Sequence, residues 1–411
     1  MRPPAASSPM RRKRPMSSPH RLSFVLHKFS RGGSDRVAAY LARGFADRGM
    51  DVELLVVTRG GEVEAALTEL VGADIPIRYL GRFGGPRALD LVRGLPGLVR
   101  HLRARAPDTI ISTANNTAWI SAAALRLSGL PNTRLFLKTT NPIARSRHVG
   151  LTKLVRRWGY RKAFAIADGV WPLSGEESAE LREEYPDFAS LFREVANPYV
   201  TPAMLAPPAA APLAGRRRTV ISVGRLTAQK RQDLLIAAFA LVGTRDAHLT
   251  ILGEGEDRAT LEAQVAELGL RGRITMPGYV DDVAGALGRA DLFVLTSDYE
   301  GLPAVVLEAM AANCPVLSTD CFPAARSMVG IPQGCAIIES TDPHDLAKLI
   351  DAHLSGPRPP HLRAIAERYS IANGVASHWE AMAYAECPTG VSAIRSDAQR
   401  VRSTALGGRA A

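Results

Sequence analysis

Residues 21–57 read "RLSFVLHKFSRGGSDRVAAYLARGFADRGMDVELLVV": an apolar run, a glycine-bearing loop, a stretch of mixed polarity, and a second apolar run. In the mixed stretch Val37, Tyr40, Leu41 and Phe45 recur three and four positions apart, which gathers them on one helical face, and Gly49 suits the end of that helix. "LSFVL" and "VELLVV" are apolar at successive positions rather than alternating, the pattern of strands covered on both faces. Strand, helix and strand in that order predict a parallel βαβ unit. Further strands are predicted at "TIIST" (109–113), "RLFLKTT" (134–140) and "GVWPLS" (169–174), which makes residues 21–200 an open α/β domain.

Residues 201–217 are rich in proline and alanine and lack sustained periodicity, so they are expected to form a linker. The alternation then restarts as "TVISVG", "RQDLLIAAFALV", "HLTILG", "RATLEAQVAELG", "RITMPG", "VAGALGRA", "LFVLTS", "PAVVLEAMAAN" and "PVLST". That order predicts a second doubly wound domain over residues 218–375. The basic segment 1–20 and the small, polar tail 389–411 are expected to be disordered.

At 411 residues the chain is long enough for two cores. A formal net charge of +11 points to an anionic partner: nucleic acid, a phosphorylated small molecule, or an acidic membrane surface. Cys314, Cys321, Cys335 and Cys387 have no Cys-x-x-Cys pairing and no histidine cluster beside them, so neither zinc nor a disulfide framework is expected. Reduced thiols and the lack of an apolar run long enough to span a bilayer suit a cytoplasmic protein. Residues 86–106, "PRALDLVRGLPGLVRHLRARA", place Leu91, Leu95, Leu98 and Leu102 on one helical face with Arg93 and Arg100 opposite. Such a segment fits either an anionic bilayer at the inner face of the cell membrane or a surface helix packed by its leucines. Gly94, Pro96 and Gly97 argue against one uninterrupted helix.

In open α/β sheets ligands bind beyond the carboxyl ends of the strands, so the chemistry is sought there. In "VGRLTAQKR" Gly224, Arg225 and Lys230 follow a strand and precede a helix, where two cations and a helix N-terminus can converge on a diphosphate. The plain alternative is solvated surface cations. In "TSDYEGLPAVVLEA" Glu300 sits in a strand-to-helix turn, Pro303 fits the first helical position, and Glu308 lies inside an apolar run. A carboxylate there needs donors, and a ribose diol offers two; a solvent-facing or arginine-paired glutamate is the alternative. Gly32 and Gly33 allow close backbone approach but form no dinucleotide fingerprint. Gly278, Tyr279 and Val280 end another strand, where a heterocycle could be read by main-chain groups.

In order, "GGSDRVAAYLA", "SVGRLTAQKRQDLLIAAFA", "ILGEGEDRATLE", "PGYVDDVAGALGRADLFVLTSDYEGLPAVVLEAMAANCPVLSTD" and "YSIANGVASHWEAM" resemble the retaining glycosyltransferases of family 4, with the GT-B fold. The resemblance spans residues 22–385 and is strongest from Thr219 to Asp320. It implies two Rossmann-like domains facing across a cleft, an N-terminal acceptor domain, a C-terminal nucleotide-sugar domain, and a helix at 376–388 crossing back to the first domain. It further implies that Arg225 and Lys230 hold the donor diphosphate and Glu308 the ribose. Glu300 with the backbone of Gly301, Leu302, Pro303, Ala304 and Val305 would face the sugar, and Gly32 and Gly33 would reach the diphosphate from the other side. Proline brings only its carbonyl and ring to that set.

Two departures stand out. Ala324, Ala325, Arg326 and Ser327 replace the Gly-Pro-x-Glu of many relatives, and no histidine occupies the acceptor-side stretches "STANNTAW" and "LKTTNPIARSRH" up to Arg147. Asn115, Asn116, Lys138 and Asn141 are the acceptor-side candidates. The expected activity is transfer of a hexose-type sugar from a nucleoside diphosphate to a glycan or lipid-linked hydroxyl, with retention and with neither metal nor cofactor. A GT-B protein that binds or epimerises nucleotide sugar without transfer is the alternative. Nucleic-acid binding, suggested only by charge and by "RRKR" at 11–14, has no accompanying motif and is not expected.

Overall fold

The computed structural model describes residues 20–29, 33–60, 64–143, 150–206, 217–356 and 361–384. Gly32, most of the linker, the basic start and the tail after residue 384 lie outside the described residues.

The first sheet comprises β1 (Arg21–Leu26), β2 (Asp51–Val56), β3 (Ile77–Tyr79), β4 (Thr109–Ser112), β5 (Arg134–Lys138) and β6 (Gly169–Trp171) in the order β3-β2-β1-β4-β5-β6. The second comprises β7 (Thr219–Val223), β8 (His248–Leu252), β9 (Ile274–Gly278), β10 (Leu292–Leu295), β11 (Val316–Thr319) and β12 (Ala336–Ile338) in the order β12-β11-β10-β7-β8-β9. Pairing within both sheets is parallel, as the continuous apolar runs predict. In each sheet the strand order reverses beside the first strand, between β1 and β4 and between β7 and β10, which fixes where a ligand crevice opens. These are the two facing Rossmann-like domains of the GT-B fold.

The segment 86–106 differs from expectation. Arg87–Arg105 is one helix that continues through Pro96. Pro96 cannot donate to the Val92 carbonyl, but Val92 is exposed, so water can replace the lost bond. Gly94 is needed for packing, since a Cβ there would lie 2.6 Å from Val57 Cγ1. Leu91, Leu98 and Leu102 are buried in the first domain's core and do not face outward. The helix is also tied down by charge: the fully buried Glu53 carboxylate of β2 lies 3.0 Å from both His101 Nε2 and Arg105 Nε and accepts from Ser23 Oγ at 2.7 Å. Of the two readings of this segment, the surface helix packed by its leucines is the one found.

The chain passes between the domains at two adjacent places. Val200 and Ser370 form a parallel bridge, the Tyr199 amide donates to the Tyr369 carbonyl, and the Ile371 amide donates to the Val200 carbonyl. The helix Ile371–Tyr384 then lies on the helix Gly33–Ala46, with Trp379 stacked on Phe45 at 6.0 Å. Gly44 admits this contact, because a Cβ there would meet Val375 Cγ2 at 2.5 Å. An apolar cluster running through Phe45, Tyr199, Leu302, Val306 and Val375 is continuous from one domain to the other.

Candidate functional site

Both strand-order reversals open into one cleft of about 1440 Å³. The first domain contributes the loops after β1 and β4, including His27, Lys28, Thr113 and Asn115. The second contributes the loops after β7 and β10, including Gly224, Arg225 and Glu300.

On the second domain's wall, Lys230 and Glu300 come from different loops and meet at 2.5 Å, and Ser297 Oγ donates to the same Glu300 oxygen at 2.8 Å. Several bonds hold these loops in register. Thr296 Oγ1 lies 3.0 Å from the Lys230 carbonyl and 2.9 Å from that of Arg231, Gln229 Nε2 donates to the Tyr299 carbonyl, and the Asp298 amide donates to the Gln229 carbonyl. Arg231 takes the left-handed conformation (φ 50°) between the Ala228–Lys230 turn and the helix Gln232–Leu241. That reversal keeps Lys230 at the cleft while the helix turns away. Arg225 is exposed on the same wall, its carbonyl held by the buried Gln232 side chain at 3.1 Å. Among the described residues its guanidinium has no carboxylate partner, so it can meet an anionic ligand.

The helix Ala304–Ala311 starts at the cleft behind Pro303. The Val306 amide bonds the Pro303 carbonyl. Among the described residues the amides of Gly301, Leu302, Ala304 and Val305 find no protein acceptor. They form a group of free donors beside a helix N-terminus, suited to oxyanions or sugar hydroxyls. Glu308, on the second turn, is buried and bonded by Arg36 Nη2 from the first domain at 2.5 Å. Burial acts to lower the Arg36 pKa, but the Glu308 carboxylate outweighs it and holds the pKa above its ordinary value.

Gly33 faces this helix start, and a Cβ built on it would sit 4.0 Å from Ala304 Cβ. Gly301 fits more tightly still. A Cβ there would lie 2.1 Å from the carbonyl oxygen of Thr140, so the first domain's β5 loop rests directly on the second domain's Glu300–Pro303 turn. Gly224 sits against the Lys230 side chain and its amide bonds the Leu252 carbonyl.

The acceptor-side candidates separate. Asn115 uses its side chain to hold the β5 loop: its carbonyl oxygen accepts from the Thr140 amide at 2.6 Å and its amide donates to the Asn141 carbonyl at 2.7 Å. Asn116 lines the cleft with a buried Oδ1 that has no hydrogen-bond partner among the described residues. Asn141 also lines the cleft. Lys138 is buried at the end of β5, donating to Asn197 Oδ1 at 2.5 Å and to His378 Nε2 at 2.8 Å. His378 Nδ1 faces the Gly374 carbonyl and so carries the ring proton, leaving Nε2 to accept. Burial pushes the Lys138 pKa down to about 7, against the opposing pull of Glu177.

Sequence reasoning missed Arg36, which no spacing relates to Glu308, and the glycines of "ILGEGED". A Cβ on Gly253 or Gly255 would strike the carbonyl of Gly224 or Leu226, so both glycines let that loop lie under the loop after β7. Val280 is half-buried with its side chain packed against the core and is not among the residues lining the cleft, whereas Tyr279 is. Ser327, at the departure from the Gly-Pro-x-Glu pattern, bonds Glu176 of the other domain at 2.5 Å. Among the described residues no group of three or more His, Cys, Asp or Glu is arranged to hold a metal ion.

Two facing parallel domains, with cations, carboxylates and unpaired helix-start amides in the cleft between them, place the protein in the GT-B class. Residues 208–370 match the family model "Glycosyl transferases group 1", and residues 32–198 match "Glycosyl transferase 4-like domain". An uncharacterized glycosyltransferase of Haemophilus influenzae is 24 % identical over 341 residues, covering 81 % of this chain and 90 % of its own. The lipopolysaccharide core biosynthesis glycosyltransferase LpsE of Rhizobium meliloti is 26 % identical over 70 % of this chain and 76 % of its own. Among solved structures, Anabaena HepE in complex with UDP and glucose superposes with a TM-score of 0.71 at 18 % identity, over 89 % of this chain and all of that one. The chain is a GT-B-fold glycosyltransferase related to the families of both models.

Proposed function

We propose that the protein is a retaining hexosyltransferase that uses a nucleoside diphosphate sugar and a hydroxyl of a glycan or lipid-linked acceptor, in cell-surface polysaccharide or glycolipid synthesis. The observation that carries this is the convergence of Arg225, Lys230, Glu300, Glu308 and the free amides before Val306 on one cleft wall. Arg225, Lys230 and the helix start would meet the negative charge that grows on the diphosphate as the bond to the anomeric carbon breaks. Glu308 would accept from the ribose hydroxyls and Glu300 from the sugar. With both carboxylates so engaged, neither is free to act as a nucleophile of the kind retaining glycosidases use. The acceptor oxygen would then attack from the face the diphosphate leaves, its proton passing to a phosphate oxygen while the new glycosidic bond forms. The names of LpsE and the ligands of HepE support a nucleotide donor and a surface-glycan acceptor.

The test is incubation with a panel of nucleoside diphosphate sugars and lipid-linked or glycan acceptors, with the product's anomeric configuration read by NMR. An axial donor linkage giving an axial product is expected. An inverted product would overturn retention, and formation of only free sugar or an epimer would overturn transfer.

A further inference from the structure

The helix Gly150–Phe164, "GLTKLVRRWGYRKAF", carries Lys153, Arg156, Arg157, Arg161 and Lys162 and no carboxylate. Its inner side is anchored by Ala163 and Phe164, the latter edge-on to Tyr185, Phe188 and Phe192. Its outer side exposes Leu154, Val155 and Trp158 at 63 %, 59 % and 64 %. At about 100° per residue these three fall within an arc of about 100°. Arg157 and Arg161 flank that arc on one margin, and Lys162 reaches over the Trp158 ring at 5.6 Å. Arg161 is paired with Asp187 and Arg157 bonds the Glu184 carbonyl. Among the described residues Lys153, Arg156 and Lys162 have no carboxylate partner.

The geometry points to this helix as the seat of the protein on an anionic lipid bilayer. An apolar strip that includes tryptophan, bordered by long cationic side chains, matches the layering of a bilayer surface. The strip enters the acyl boundary while the cations reach back to the headgroups. An acidic protein would satisfy the cations but would not require an apolar centre. The same helix also borders the cleft: Arg156, Gly159 and Tyr160 line it from the side turned away from Leu154 and Trp158, as does the half-exposed Trp119 on the adjoining helix Asn115–Ser128. A bilayer seated on Leu154 and Trp158 would meet the cleft at its acceptor-domain rim. The membrane role weighed for residues 86–106 thus belongs to this helix, because the leucines of the earlier segment are core. The inference extends the lipid-linked part of the proposed function. Its test contains no sugar nucleotide, so the two can fail separately.

The full chain is mixed with vesicles of phosphatidylcholine alone and with about 30 % phosphatidylglycerol, and the bound fraction is read by sedimentation at low and high salt. Binding to the anionic vesicles, weakened by salt, is expected. The double variant Leu154→Glu, Trp158→Glu should bind about tenfold more weakly with its melting temperature unchanged. Neutralising Arg11, Arg12, Lys13 and Arg14 should leave binding largely intact. Absence of binding to anionic vesicles at low salt, or binding lost with the 11–14 substitutions and kept by the helix variant, would overturn the inference.

Discussion

Arg36 of the first domain and Glu308 of the second meet across the cleft at 2.5 Å, although 272 positions separate them in sequence. The pair occupies the carboxylate that the proposed function assigns to the donor ribose, so donor and Arg36 compete for the same oxygens. Without Arg36, Glu308 is a buried carboxylate lacking its cation, which is costly until hydroxyls of a ligand replace it. Arg36→Ala should therefore melt at a lower temperature than the native protein when free, and gain more from a bound nucleoside diphosphate. Thermal shift with and without UDP checks this. Equal ligand-induced shifts in the two proteins would sink the competition argument.

Glu308→Gln keeps the shape and removes the charge. Hydrogen bonds to charged groups contribute about 1.5–3 kcal/mol, so donor affinity should fall roughly 10- to 100-fold. Calorimetric titration with the donor that turns over reads it directly.

Lys230 is held beside Glu300 by bonds between the β7 and β10 loops, so its removal should leave the fold intact and remove charge stabilisation from the leaving diphosphate. Lys230→Ala is expected to lower kcat by about 10²- to 10³-fold, the scale of losing one positioned donor to a developing oxyanion. A variant retaining near-native kcat would place the leaving-group stabilisation elsewhere.

Gly301 carries a different kind of test. With the Thr140 carbonyl oxygen 2.1 Å from where a Cβ would stand, Gly301→Ala must push the β5 loop off the second domain. Overpacking of this sort costs about 1–3 kcal/mol. Here the cost falls on the contact between domains rather than on either core. Small-angle scattering should report a larger radius of gyration than the native protein, with each domain's secondary structure unchanged by circular dichroism.

Much of this organisation was legible because parallel strands buried on both faces are continuous apolar runs, and because the loops that line the cleft directly follow them. β3 and β12 were not legible: each is three residues long and only partly buried, whereas β6, equally short and also at an edge, is fully buried and stands in the apolar run "GVWPLS". The helix at Arg87–Arg105 looked broken because proline and glycine are read locally. Its continuity depends on an exposed Val92 and on a sheet that needs Gly94 to come close. Arg36 could not be found from sequence, since what faces Glu308 is decided by how two domains meet. Asn115 was found for its place after β4, but its side chain is committed to holding Thr140 and Asn141.

Lys138 and Glu177 give the last prediction. Burial lowers the Lys138 pKa to about 7 and raises that of Glu177 to about 7. Between about pH 7 and the ordinary lysine value of 10.5, the unfolded chain holds a proton at Lys138 that the folded chain has released. Stability attributable to Lys138 therefore rises with pH across that window, and below it the full cost of the buried charge is present. Glu177 behaves oppositely between its ordinary 4.5 and about 7: the folded chain holds the proton that the unfolded chain has lost, so its contribution falls as pH rises. Together they place a minimum in this site's contribution near neutral pH. Lys138→Met removes the upper limb and leaves the lower one. Urea midpoints of the native and Lys138→Met proteins, measured from pH 5 to 10, should differ by an amount that changes above about pH 7 in favour of the native protein. Parallel curves above pH 7 would mean that Lys138 is charged in the folded state, in which case its bonds to Asn197 and His378 hold an ammonium rather than an amine.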